Sequence, residues 1–239
     1  MRITLTQLLI AVNVVAFIWQ STTRGGVDYD HGYLSPQFVL QYGEWWRIVT
    51  AAFLHANIAH IGLNMLALYS VGKEVEAAFG KTRFALIYAL AIAGSGLSIV
   101  YFSAYTIPTL GASGAVFGVF GALVAVGLRL GRRGRSLIMN LVPVLALNLV
   151  FTFSIPGISA AAHVGGLITG FVAGLMLFTG ARRRRIEYAY VYAAAPAGAA
   201  PHVETIEQTP EIETIEHPPD AGPHEEADAP PLHVRDPRE

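Results

Sequence analysis

Apolar residues along this chain gather into six runs separated by short polar connections. The runs are Leu5–Trp19, Ile58–Ala78, Phe84–Ala104, Ser113–Leu130, Leu137–Phe153 and Ala160–Thr179. Several approach the about 20 residues that cross a hydrocarbon layer, whereas the first and fifth are short and contain Asn13 and Asn148. The pattern predicts an all-α polytopic membrane protein, a bundle of six transmembrane helices packed side by side in lipid. Only Arg2 precedes the first run, and no obvious small-x-small cleavage site follows it. That run is therefore expected to be a retained span and not a removed signal peptide.

Composition agrees with this picture. The chain is 53% hydrophobic and 14% charged, where a soluble domain carries about 25% charged residues. It has no cysteine, which excludes disulfides and thiolate metal sites.

Charge position adds orientation. Lys73, Lys81 and Arg83 lie between the second and third runs, Arg129, Arg132, Arg133 and Arg135 between the fourth and fifth, and Arg182 to Arg185 after the sixth. The alternate connections carry only Arg24 and Arg47, both in the first loop. By the positive-inside rule both termini are expected in the cytoplasm, with the protein in the plasma membrane.

The net charge of −1 conceals an asymmetry. From Glu187 onward there are twelve acidic residues against two arginines, and the preceding part is correspondingly basic. Residues 186–239 are rich in Pro, Glu and Ala and hold an imperfect repeat, at Glu204 to Pro210 and again at Glu213 to Pro219. Such a segment buries too little apolar area to offset its ordering entropy, so a disordered cytoplasmic tail is expected, open to a cytoplasmic partner. Tyr188, Tyr190 and Tyr192 would rest at the membrane interface. The four histidines of the tail read as solvated residues and not as a metal site. The expected organisation is a first helix and the start of an outer loop over 1–39, a core of five spans over 40–181, and a basic then acidic segment over 182–239.

With the N-terminus inside, the second, fourth and sixth spans all begin on the outer side. His60, Asn64, Ser113 and His163 then fall at one depth, in the outer half of the membrane. Ser113 stands among glycines, in Gly111-Ala112-Ser113-Gly114. The Gly114-x-x-x-Gly118 spacing alone suits close helix packing. Ala115 stands where a soluble-hydrolase nucleophile elbow needs glycine.

His163 is an ionisable residue within a span, which marks a functional site by default. The other reading is a neutral imidazole bonded to a neighbouring helix. Gly166, Gly170 and Gly174 put a smooth stripe on roughly its face, and Gly114, Gly118 and Gly121 offer a matching surface on the fourth span. Contact between these two spans would bring Ser113 toward His163, as a nucleophile and general base require.

His60 and Asn64 are four apart on one helical face, with Asn57 about one turn earlier. They form either a polar stripe that joins helices or a set of donors for a developing oxyanion. Phe117 shares the face of Ser113 and either holds the His163 ring or packs in core or lipid. No Asp or Glu lies near the outer ends of the second, fourth and sixth spans, so a catalytic unit here would be a Ser–His dyad.

Over roughly residues 40–180 the chain resembles the rhomboid intramembrane serine proteases. The resemblance rests on Trp46-Arg47 in the first loop, His60-x-x-x-Asn64, Gly111-x-Ser113-Gly114 and Ala162-His163-x-x-Gly166, in that order and at those depths. It implies a six-helix fold with Ser113 as nucleophile and His163 as general base and then acid. It assigns His60, Asn64 and the Ser113 backbone N–H to the oxyanion, and Trp46 and Arg47 to a structural loop lying partly in the membrane. His55 sits where many members also have histidine. Phe117 stands where several members carry tyrosine, so the ring is kept and its hydroxyl lost.

The expected activity is cleavage of membrane-anchored proteins near the outer membrane boundary. It would need no ATP, metal or cofactor and involve no nucleic acid. Two alternatives are a non-catalytic member of the same fold that binds membrane proteins, and a channel or transporter using the intramembrane His and Asn. Neither substrate identity nor oligomeric state follows from the sequence.

Overall fold

The structure is a computed structural model that describes residues 3–22 and 32–179. The expectations for Arg24, for Arg182 to Arg185 and for the acidic segment 186–239 fall outside the described residues.

The elements in chain order are α1 (Leu5–Thr22), α2 (Pro36–Tyr42), α3 (Arg47–Thr50, continued by a 3-10 turn over Ala51–Phe53), α4 (Ile58–Phe79), α5 (Lys81–Phe102), α6 (Ser113–Leu130), α7 (Arg135–Ser154) and α8 (Ala160–Leu177). The described residues are thus all-helical apart from turns and an isolated β-bridge. Four apolar stretches are long enough to cross a membrane: Leu5–Thr22, Lys81–Phe102, Ser113–Ser154 and Ala160–Leu177. A fifth is the pair Arg47–Phe53 and Ile58–Phe79, which meet at a bend of 94°.

Ser113–Ser154 is not one straight rod. A continuous helix would separate Ser113 from Thr152 by about 58 Å, at 1.5 Å per residue. Yet Ser113 lies 2.8 Å and Thr152 2.7 Å from the same imidazole, that of His163. The chain reverses at the 3-10 turn Gly131–Gly134, where Gly131 has φ +59°.

Helix limits follow the apolar runs closely, with one informative difference. α5 begins at Lys81, ahead of the expected Phe84. Gly80, at φ +75°, turns the chain out of α4, and a new helix starts at once. The long stems of Lys81 and Arg83 let their charges sit at the end of an otherwise apolar helix. Asn13 and Asn148 do not interrupt their helices. Each amide donates to the carbonyl one turn back, Leu9 and Val144 respectively, at 2.8 Å. The amide N–H of each is thereby satisfied within its own helix.

α6 is the most enclosed element, burying 14 of its 18 residues. It lies against α8 along the two glycine stripes. A Cβ at Gly166 would strike the carbonyl of Gly114, and one at Gly170 that of Gly118. Backbone touches backbone there, so dispersion contacts accumulate along the seam. α5 forms a third small-residue face, unforeseen from the sequence. Ser95 meets Gly114, Ala91 meets Gly118, and Ser98 meets Gly165. By contrast α7 buries only Leu141 and Thr152.

The first loop is held by Arg47, which is 3% exposed. Its guanidinium pairs with Glu44, donates to the Tyr33 carbonyl at 3.0 Å and lies over the Phe38 ring, 4.0 Å from the centroid. This loop pins the approach to α6. Leu34 and Thr109 exchange backbone hydrogen bonds of 2.9 and 2.8 Å, and Gly111 N–H donates to the Ala51 carbonyl at 2.8 Å. At the far end of α4, the Glu76 carboxylate accepts from the N–H groups of Leu5 and Thr6, capping α1 from another helix.

Candidate active site

Ser113 opens α6 and His163 lies in the first turn of α8, whose start is capped by Ser159. The glycine seam brings these two helix starts together. Ser113 Oγ stands 2.8 Å from His163 Nε2. Phe117, one turn below Ser113, stacks on the imidazole with centroids 4.2 Å apart and planes 13° from parallel. Phe117 is thus both buried, against Phe120, and in contact with His163.

The other face of the site comes from α4 and the loop before α6. Asn57 is not part of a polar stripe. It caps α4, its side chain accepting from His60 N–H at 2.9 Å. Ala56 N–H points at His60 Nδ1 from 3.4 Å. A neutral His60 therefore carries its proton on Nε2 and is a donor there. The ring lies against Gly111, where a Cβ would come within 2.7 Å of His60 Cε1. Gly111 also has φ +124°, which disfavours a side chain independently. Asn64 donates one amide hydrogen to the His60 carbonyl at 2.8 Å and keeps a second.

These groups share one cavity of about 570 Å³. Ser113, His163, His60, Asn64, Phe117 and Gly111 all line it. Gly114 does not. It lies in the seam, against Ser95 and the Ala162 carbonyl. Trp46 and Arg47 also stand away from the cavity, and Arg47 acts on the loop that carries Ala51.

Two further contributions come from His55, placed in the sequence only by the family resemblance, and from Thr152, which the sequence did not single out. His55 is fully buried, its backbone N–H donating to the Gln20 side chain at 3.1 Å, and its Nε2 faces Ala112 N–H at 3.4 Å. It thus ties α1 to the residue before Ser113. Thr152, from α7, reaches His163 Nδ1 at 2.7 Å. Its signal was present as a polar pair, Asn148 and Thr152, at one-turn spacing in an apolar helix.

Residues 42–180 match the Rhomboid domain family. The chain belongs to the rhomboid family. Among curated relatives it is 41% identical to "Rhomboid protease GluP" of Bacillus subtilis (strain 168), over 73% of this chain and 35% of that protein. It is 32% identical to "Putative rhomboid protease YdcA" of the same organism, over 70% of this chain and 79% of the relative. It is also 32% identical to "RHOMBOID-like protein 4" of Arabidopsis thaliana, over 75% of this chain and 43% of that one. The chain thus spans less than half the length of GluP and of the plant relative. As a rhomboid with several apolar helices, it is an integral multi-pass membrane protein.

Proposed function

We propose that this rhomboid is an intramembrane serine endopeptidase that cleaves membrane-anchored proteins near the outer membrane boundary. The observation that carries the reading is the 2.8 Å approach of Ser113 Oγ to His163 Nε2. Relatives named as proteases support it. In this reading the six long helices are six spans and, by the distribution of Lys and Arg, both termini are cytoplasmic at the plasma membrane.

Ser113 Oγ attacks the scissile carbonyl carbon while its proton passes to His163 Nε2. The resulting oxyanion takes hydrogen bonds from the Ser113 backbone N–H, His60 Nε2 and the second hydrogen of Asn64. Each such donor contributes on the order of 3 kcal/mol to the barrier. The Ser113 N–H is available because it opens a helix and has no intrahelical acceptor. Collapse of the adduct breaks the C–N bond, and the Nε2 proton goes to the departing amine. Water then attacks the serine ester, giving its proton to Nε2, and release of the acid returns a proton to Ser113 Oγ.

Labelling of the purified protein with a serine-reactive phosphonate probe tests this reading. The wild type should label and should cleave a transmembrane substrate. Ser113→Ala should do neither, and His163→Ala should lose both by orders of magnitude. Labelling that persists in Ser113→Ala contradicts the nucleophile. A wild type that neither labels nor cleaves favours a non-catalytic binding role for the same fold.

A further inference from the structure

His163 has a second contact, on the nitrogen that faces away from Ser113. Its Nδ1 lies 2.7 Å from Thr152 Oγ1. That hydroxyl in turn lies 2.7 Å from the carbonyl oxygen of Asn148, one turn back in α7. Thr152 is 3% exposed and His163 7%, so neither is satisfied by bulk water.

Counting protons decides the direction of this chain. A hydroxyl has one proton to donate and lone pairs with which to accept, whereas a carbonyl can only accept. Were the Thr152 proton turned toward His163, two oxygens would face each other at 2.7 Å with no hydrogen between them. The proton therefore points at Asn148, and Thr152 Oγ1 meets His163 as an acceptor. Nδ1 must then supply the hydrogen. A neutral imidazole protonated at Nδ1 has its lone pair on Nε2, the nitrogen 2.8 Å from Ser113 Oγ.

We propose that Thr152 is a positioning residue that sets the tautomer of His163, holding the ring as its Nδ1–H form so that Nε2 is free to take the Ser113 proton. The inference rests on the proposed roles of Ser113 and His163 as nucleophile and base. A hydroxyl anchored to a helix carbonyl here does the orienting job that a buried carboxylate does in soluble triads. It does so without placing a net charge in an apolar helix, where charge is costly. When His163 becomes an imidazolium, the Nδ1–H bond to Thr152 persists and stabilises it.

The test uses the full-length protein labelled with ¹⁵N-histidine, with His163 assigned by comparison with His163→Ala. The wild-type ring should show a protonated Nδ1 and an unprotonated Nε2; a proton on Nε2 overturns the proposal outright. Thr152→Val keeps the shape but removes the acceptor. It should mix the two tautomers and lower kcat by roughly tenfold with KM unchanged, which corresponds to about 1.4 kcal/mol on the barrier. Thr152→Ser should restore both the signature and the rate. An unchanged tautomer and kcat in Thr152→Val, or a Thr152→Ser variant as impaired as Thr152→Val, refutes it. If Thr152→Val does not fold, the wild-type resonance decides alone. If the protein neither cleaves nor labels, the protease reading fails while the resonance still judges the tautomer.

Discussion

Phe117 and His163 lie face to face, 4.2 Å between centroids and 13° from parallel. This stack fixes the imidazole plane so that one ring nitrogen points at Ser113 and the other at Thr152. The ring supplies orientation through its area, not through a polar group. Phe117→Tyr should therefore keep activity, whereas Phe117→Leu should lower kcat on the order of tenfold to a hundredfold with little change in KM. Phe117→Ala should in addition destabilise the fold by about 3–5 kcal/mol, read as a shift in unfolding in detergent. Full activity in Phe117→Leu would remove the stack from the mechanism.

The seam between α6 and α8 makes opposite forecasts for different glycines. Gly166→Val and Gly170→Val push side chains into the carbonyls of Gly114 and Gly118, which are backbone and yield poorly. Each should cost about 1–3 kcal/mol or more in stability. Each should also reduce kcat/KM on the order of a hundredfold by parting Ser113 from His163. Gly62, in α4, has nothing within 4 Å of an added Cβ. Gly62→Ala should leave activity intact and stabilise by about 0.4–1 kcal/mol. Equal behaviour of the three variants would show that the seam does not set the geometry.

Acidification should abolish cleavage. In the proposed mechanism protonation of His163 occupies the Nε2 lone pair that receives the Ser113 proton, so activity should be present above the apparent pKa of the free enzyme and lost below it. A kcat/KM profile, taken where chemistry limits the rate, should show this acid limb. A rate that stays flat into the acid range excludes a histidine base.

Arg47 should matter for stability without touching the chemistry. Its planar guanidinium combines Glu44, the Tyr33 carbonyl and the Phe38 face in one buried site. An ammonium cannot match all three. Arg47→Lys should cost about 1–3 kcal/mol in thermal unfolding, while the surviving folded fraction labels normally with a serine-reactive probe.

Substrate helices should resist in proportion to their own stability. A membrane helix has its backbone paired, so the scissile amide must be released before it reaches Ser113. Gly or Pro near the cleavage site should speed cleavage, and Leu or Ala in their place should slow it. Indifference to these changes, with binding held constant, would mean that unwinding is no barrier.

Helix positions were legible in the sequence because an apolar run of about 20 residues must pair its own backbone in lipid. The glycine stripes were legible too, since small residues at helical spacing define a face from local geometry alone. Hence Ser113, His163, His60 and Asn64, which line one cavity, could be named as candidates from one chain of letters. Asn57 was ambiguous because a helix cap and a polar stripe show the same residue at the same spacing, and only its bond to His60 N–H separates them.

The sequence by itself indicated the six long helices, which faces are smooth and which side chains are candidates for chemistry. The tertiary structure alone decided which helix covers each face, and so what each nitrogen of His163 meets. Periodicity is local, but the rotation and depth of a helix are set by distant contacts. A third small-residue wall from α5, His55 beneath Ala112, and Thr152 on Nδ1 follow from those contacts, not from spacing.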